Sequence, residues 1–387
     1  MAVRIGALHA DAWSGLVLSA RPGEGFGLRF AVERDGARAD LEDFFWLLHE
    51  AGPHEPNGRY ARVSFDLDLP LEAGDDTPVL PRSGQRPGLV IEWSRVGERA
   101  VVGLARAAFP GSLLLRPGFP WDWAGRWRWY HGEELVGVSE SGRSAMALRV
   151  EGRGVSAGLG PEPDDRFLLH YRVSPGDDLR FVGAVGPDPE DALREARTLH
   201  GRPVERTLES AASAYEATRT KVDGPLEGLA AAVTRNLHWT VLLQPESGHL
   251  YTPAGRRWIF PRAEERGGGR DHWTIFGWDS YFNALELDVE APDAARETLL
   301  AGLRTAYPNG CVPNWRSRFG GTPDRSQPPV GSLAALQLHL RRKDRELLEL
   351  AYPHLTSWSA WWKARRHGRP RRAPGPRGLY TWGSGAE

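Results

Sequence analysis

The segment Phe276 to Glu286, FGWDSYFNALE, places one carboxylate, Asp279, among Trp278, Tyr281 and Phe282 at what reads as a helix start. An Asp there has two possible roles. Its oxygens can accept from the free N–H groups of the first helical turn, as an N-cap does. Alternatively, beside an indole, it can hydrogen-bond the hydroxyls of a sugar whose C–H faces lie on the rings. Three further segments share this chemistry: CVPNWRSRFG from Cys311, PDRSQPPVG from Pro323 and LYTWGSG from Leu379. Each sets Asp, Asn, Arg or Gln, or a lone hydroxyl, beside an aromatic ring or a rigid backbone, as a pocket for a polyol requires.

The totals narrow the ligand. The 387 residues carry 49 Lys and Arg against 50 Asp and Glu, a formal net charge of −1 spread along the chain. That balance gives no electrostatic footprint for nucleic acid or an anionic membrane. The single cysteine, Cys311, excludes an internal disulfide framework and a cysteine-based zinc site. Acidic pairs such as Asp66 with Asp68 lack calcium-loop spacing, so no metal site is expected. No leader-like or spanning apolar run is present in the sequence, and a cytoplasmic, membrane-free protein is the expectation. Sixteen tryptophans against two methionines suit either a large core or flat amphipathic ligands.

The elements that must position these groups change type along the chain. From Leu16 to about Val182, alternating or continuously apolar runs rich in β-branched and aromatic residues are punctuated by Gly, Pro and Asp, which predicts an antiparallel sandwich. Short helices are expected near Leu41 to His49 and Asp188 to Leu199. Trp121, Trp123, Trp127 and Trp129 alternate with Asp122, Arg126 and Arg128, giving one strand face of indoles. That face could stack sugars, but a large sandwich needs bulky filler, and the core reading is preferred. Gly152, Gly154, Gly158 and Gly160 lie between strands with no helix after them, so they form no phosphate cradle.

Residues 201 to 220 read as a helical linker, polar nearly all round. Beyond it Leu226, Leu229, Ala230, Val233, Leu237 and Val241 recur at helical steps. Further helices are predicted from Asp279, from Pro292 to about Ala306 and from Val330 to Leu340. Asp344 should cap a short helix to Ala351, with Pro353 opening another that carries Trp358, Trp361 and Trp362 toward its neighbours. The division expected is a β-sandwich domain at 1–200, a linker at 201–224 and a helical domain at 225–387.

The order GWDSYFNAL, NGCVPNW, DRSQPPVG, LELAYPHLTSWSAWW and GLYTWGSG, covering roughly Asn236 to Gly385, resembles the catalytic domain of glycoside hydrolase family 63, in its bacterial branch related to mannosylglycerate hydrolase. The resemblance implies a multidomain β + α fold: an antiparallel β-supersandwich followed by an (α/α)6 barrel. It implies that Trp278 and Asp279 contact the sugar whose bond is cleaved, that Arg325 and Gln327 line the same pocket, and that Trp382 forms its wall. It also implies hydrolysis of an α-linked glucose or mannose by an exo-acting, inverting glycosidase on an oligosaccharide or glycosylglycerate, without a cofactor.

Inversion needs a protonated acid and a water-activating base, roughly 6.5–9.5 Å apart. In the resembled family the acid follows the WGS segment and the base lies near the end of a longer chain, so both are expected beyond Glu387. From Pro225 there is room for roughly six helices of ordinary length, half the number in such a barrel. The expectation is therefore half a barrel, inactive as it stands, with a C-terminal complementing chain as a possible partner. The alternative is a non-catalytic carbohydrate-binding protein.

Overall fold

The computed structural model describes residues 4–7, 15–34, 37–40, 47–51, 60–65, 89–107, 111–120, 123–130, 134–161, 167–174, 177–229, 232–233, 237, 241–244, 247–252, 274–317 and 320–366. Two compact units divide the chain, Met1–Gly248 and His249–Glu387.

The first unit is built on two antiparallel sheets, as its alternating runs dictate. One contains β1 (Arg4–Ala7), β2 (Gly15–Arg21), β3 (Glu24–Arg34), β4 (Ala37–Asp40), β9 (Ser112–Gly118), β13 (Ser156–Pro161) and β14 (Phe167–Val173). Its order is β1-β2-β3-β9-β14-β13, with the second half of β3 pairing β4. The other contains β5 (Leu47–Ala51), β6 (Tyr60–Phe65), β7 (Leu89–Val96), β8 (Ala100–Ala107), β10 (Gly125–Tyr130), β11 (Glu134–Ser139), β12 (Ala145–Glu151) and β15 (Asp178–Gly186), in the order β10-β11-β12-β15-β8-β7-β6-β5. Side chains alternate across a strand. Thus Leu28 and Phe30 of one sheet and Ile91, Val101 and Phe181 of the other meet in a shared core.

Trp127 and Trp129 belong to that core: Trp127 stands edge-on to Phe26 at 5.8 Å and Trp129 edge-on to Tyr171 at 5.4 Å. They are filler, and the sugar-stacking alternative for this strand face falls. Gly137 faces Trp127 across the ladder, and a Cβ there would lie 2.8 Å from the indole. Trp121 and Asp122 lie outside the described residues.

The second sheet is buried on both faces. Its other side, with Ala100, Val102, Leu104, Val136 and Ala147, packs on α1 (Pro189–His200) and α2 (Val204–Thr218). This explains the continuously apolar strands, since a strand covered on both faces needs no polar alternation. The helix expected from Asp188 to Leu199 is α1, and Asp188 caps it, its carboxylate accepting from the Asp191 N–H at 2.9 Å. Glu134 ties the layers together, accepting from Arg197 of α1 at 2.6 and 2.9 Å and from Arg149 of β12. Hydrogen bonding to Arg197 is the largest influence on its carboxyl and, with Arg149, holds it below the usual carboxylate range against a burial effect that pushes upward.

Three expectations change here. Residues 47 to 51 are strand β5, paired with β6, instead of the end of a helix, because a short apolar run fits either period and here sheet pairing decides it; residues 41 to 46 lie outside the described set. Residues 204–218, read as a helical linker, do form a helix, α2, but it docks, with Val204 and Leu208 buried in the helical layer. Two apolar side chains one turn apart are enough to dock an otherwise polar helix. The predicted helix from Pro225 begins as a 3₁₀ turn, Gly224–Leu226, where Leu226 and Leu229 are exposed; Leu237 is helical and buried, and Leu242–Leu243 is a short strand, β16.

The second unit is helical. After β17 (Leu250–Tyr251), a small antiparallel sheet of β18 (Ile275–Phe276), β19 (Trp315–Ser317) and β20 (Gly320–Gly321) accompanies α3 (Gly277–Leu287), α4 (Pro292–Arg304), α5 (Gly331–Arg342) and α6 (Arg345–Arg366). The last of these replaces the two helices expected around Pro353. Leu347, Ala351, Trp358, Trp361 and Trp362 are buried along one continuous stripe of α6. Packing on both sides of the proline outweighs the roughly 3 kcal/mol it costs a helix interior. Asp344 caps this helix as expected, accepting from the Leu347 N–H at 2.9 Å. No described helix is long and apolar enough to cross a membrane.

Candidate functional site

The described residues expected at the site gather where α3 begins. Helix α3 starts at Gly277, with Phe276 extended at the N-cap and offering no side-chain cap. Asp279 is therefore the third residue of the helix, not its N-cap. The cap fails because β18 runs straight into the helix: Phe276 pairs with Trp315 in the small sheet, and this fixes where the strand conformation ends. In the first turn Asp279 still gains from the positive end of the helix dipole. Its carboxylate is half-buried and has no partner among the described residues.

The orphan N–H groups of α3 are satisfied from distant loops instead. Gly277 N–H donates to the Asn314 carbonyl at 3.0 Å, and Trp278 N–H donates to Gln327 Oε1 at 2.7 Å. Because a backbone N–H can only donate, the atom of Gln327 facing it must be the oxygen, and the Nε2 amide remains as a donor. Asn314 also donates its own N–H to the Arg325 carbonyl at 2.7 Å. One residue thus links the strand-to-helix turn with the 323–327 loop. Gly277 permits this approach: a Cβ there would lie 3.1 Å from both Gln327 Oε1 and the Pro313 carbonyl.

A second layer fixes these loops. Ser326 is buried and accepts from Trp358 Nε1 at 2.9 Å, while Trp358 packs against the buried Tyr281 of α3 at 5.9 Å. Arg366 donates to the Asp324 carbonyl and lies 5.4 Å from the Trp361 ring. The guanidinium of Arg316 stacks on Tyr307 at 4.2 Å. At the other end of α3, Asp288 is 1% exposed and accepts from Arg341 at 3.3 Å and Arg342 at 2.8 Å. The helix carrying Trp278 and Asp279 is therefore held at both ends.

Against this rigid background two aromatic rings stay out in solvent. Trp278 is 40% exposed and Phe282, one turn on, is 45% exposed, with ring centroids 6.3 Å apart. Side chains at i and i+4 share a helix face. The result is an open aromatic surface with a carboxylate in the same helical turn that no described residue engages. That arrangement can take a polyhydroxylated ligand, with rings on C–H faces and oxygens accepting from hydroxyls.

Of the residues expected to form the site, the structure brings together Trp278 and Gln327 through a hydrogen bond, and Asp279 and Arg325 lie within two residues of that contact. Arg325 has an exposed side chain and uses its carbonyl to hold Asn314 and Thr322. Trp382 and the glycine-rich segment at 267–269 lie outside the described residues. Asn314, Gly277 and Ser326 were not singled out in the sequence, although all three lie in or beside the quoted segments. Cys311 is buried, and burial pushes its thiol up to about 12, so it is no nucleophile.

Comparison with known proteins shows what part of the chain has relatives. Residues 272–382 match the family model of the mannosylglycerate hydrolase MGH1-like glycoside hydrolase domain. No curated protein matches the chain. Among solved structures it is similar to a family GH92 α-mannosidase from Bacteroides thetaiotaomicron at 13% identity, covering 91% of this chain and 52% of that one, with a TM-score of 0.38. It is also similar to a bacterial glucoamylase complexed with acarbose, at 11% identity, 92% and 66% coverage and a TM-score of 0.40. The chain thus spans about half to two thirds of these structures. Trp278, Asp279, Asn314, Arg325 and Gln327 all fall within the stretch that matches the mannosylglycerate hydrolase MGH1-like glycoside hydrolase domain.

Proposed function

We propose that this chain is part of an exo-acting, inverting glycosidase that holds an α-linked glucose or mannose residue of an oligosaccharide or glycosylglycerate. The observation that carries this reading is the exposed Trp278 and Phe282 beside Asp279, which has no partner among the described residues, on a helix start anchored by Gln327 and Asn314. Asp279 accepts from sugar hydroxyls, Trp278 covers a C–H face, and the free Gln327 amide and the Arg325 guanidinium serve further oxygens. Trp382 walls the same pocket. The general acid and base are assigned to other residues, because a carboxylate committed to two hydroxyls is a poor proton donor and cannot also activate water on the opposite face.

The helical unit reads as the first half of an (α/α)6 barrel. What supports this is the second apolar face of α5, where Leu333, Leu336 and Leu340 recur at helical spacing and are all exposed. A helix apolar on both sides normally has neighbours on both sides. The place of work is the cytoplasm, with a carbohydrate substrate and neither nucleic acid nor membrane as partner.

The test is to incubate residues 1–387 with an aryl α-glucoside, mannosylglycerate and glucosylglycerate, following hydrolysis and binding separately. Binding without turnover, weakened by Asp279→Asn, is expected. Robust turnover abolished by Asp279→Asn would make Asp279 a catalytic residue and overturn its assignment. Binding that stays without turnover even when a complementing C-terminal chain is supplied favours the non-catalytic carbohydrate-binding protein.

A further inference from the structure

The first unit contains a groove that the sugar reading does not use. It opens between the β7–β8 turn and the start of α2, with a volume of about 940 Å³, inside the range of small-molecule sites. Arg95, Arg202 and Arg206 line it together with the hydroxyl-bearing Ser94, Thr207 and Ser210, and none of its lining residues is acidic. The absence of acid is a property of how the side chains are turned. Glu205, which precedes Arg206, is drawn away by Arg180 of β15, whose Nε reaches it at 2.5 Å. The groove is left with guanidinium groups and hydroxyls.

The arginines differ in how they are held. Arg95 is fixed at the rim, donating through Nε to the Gly97 carbonyl at 3.0 Å and through Nη2 to the Glu98 carbonyl at 3.1 Å. Gly97, at φ +62°, gives the turn the left-handed residue that presents its carbonyl to this side chain. Arg202 and Arg206 form no ion pair with any described residue. Elsewhere the same surface behaves differently: Arg99, Arg149, Arg180, Arg194 and Arg197 are each matched to a carboxylate. In a chain with balanced charge, unmatched arginines that converge on one concavity are a local departure from the pattern.

We propose that this groove binds a small organic oxyanion, a phosphate- or carboxylate-bearing molecule, through Arg202 and Arg206. A guanidinium fork matches both oxyanions with parallel charge-assisted hydrogen bonds. Ser210, four residues beyond Arg206 on α2, adds a hydroxyl donor, while the Thr207 hydroxyl is engaged with the Pro203 carbonyl at 3.2 Å; the alanines of the same helix face leave room for the rest of the molecule. The site is separate from the aromatic surface on α3 and does not depend on the sugar-binding reading.

The experiment titrates the full chain with inorganic phosphate and, in a second arm, with citrate, by calorimetry at low salt. Saturable binding of at least one probe is expected, and the arm that binds identifies the class of oxyanion. The double variant Arg202→Gln, Arg206→Gln should weaken it at least about tenfold, or 1.4 kcal/mol. Ser210→Asp should do the same by placing a carboxylate in the groove. Both variants change exposed positions in α2 or in the turn just before it, and unchanged thermal unfolding would verify that the layers are intact. Absence of saturable binding of either probe at millimolar concentration overturns the proposal. So does binding that both variants leave unchanged, since that would be an unspecific attraction.

Discussion

The two units of this chain treat apolar surface in opposite ways. In the first, the sheet carrying β8 and β15 is covered on one face by a second sheet and on the other by α1 and α2. In the second, α3 and α5 bury one side and leave Trp278, Phe282, Leu333, Leu336 and Leu340 in solvent. The closed unit is held by packing and by the ion pairs of Glu134, and its Trp93, Trp127 and Trp129 are filler. The open unit uses polar side chains to brace its loops and keeps two aromatic rings exposed beside a carboxylate that has no partner among the described residues. A tryptophan's role in this protein therefore follows from the unit and from whether its ring faces a core, not from the residue type.

That contrast can be broken most severely in the closed core. Phe181, 1% exposed, should cost about 3–5 kcal/mol when changed to Ala, read as a lower midpoint in urea unfolding. Opposite it, a Cβ on Gly103 would fall 2.0 Å from the Phe181 ring. Gly103→Ala should therefore cost about 1–3 kcal/mol through overpacking. Equal tolerance of both changes would contradict the close packing of this sheet's inner face.

The bracing of the open unit gives a smaller effect. Gln327→Leu removes the acceptor of the Trp278 N–H and should cost about 1 kcal/mol, as the loss of a helix cap does. Gln327→Glu keeps an acceptor oxygen and should restore stability. Smallest of all are Leu333→Ser, Leu336→Ser and Leu340→Ser. Each should stay within about 0.5 kcal/mol, as exposed substitutions do, while together they lower self-association measured by light scattering. A large stability loss there would mean that the face is covered.

A pH series sharpens the comparison from the closed side. Glu134 is held low by Arg197 and Arg149, against a reference carboxyl value of 4.5. The folded value lies below the unfolded one, so its contribution is present above about pH 4.5 and is lost as pH falls through the folded value. Glu134→Gln should lower stability at neutral pH and flatten the loss on acidification, checked by urea midpoints across that range.

Much of this was legible from residues. The turn-punctuated apolar runs gave both sheets, and helical spacing gave α1, α3, α4 and α5. The indoles at 358, 361 and 362 were read as packing and are buried. What was not legible depended on partners distant in sequence. The entry of α3 is decided by Phe276 pairing with Trp315, and no local cap rule contains that contact. Pro353 reads as a helix start until the stripe from Leu347 to Trp362 is seen to continue through it. The docking of α2 rests on two residues whose significance appears only against β8. In the site, Trp278, Asp279 and Gln327 stood out by type, whereas Asn314 acts through its backbone, which carries no residue signature.

The most direct measurement is calorimetric titration of the chain with mannosylglycerate and glucosylglycerate, for the wild type and for Trp278→Ala and Asp279→Asn. The account predicts saturable binding that each substitution weakens at least about tenfold with unfolding midpoints unchanged. Binding that survives both substitutions undiminished would contradict it.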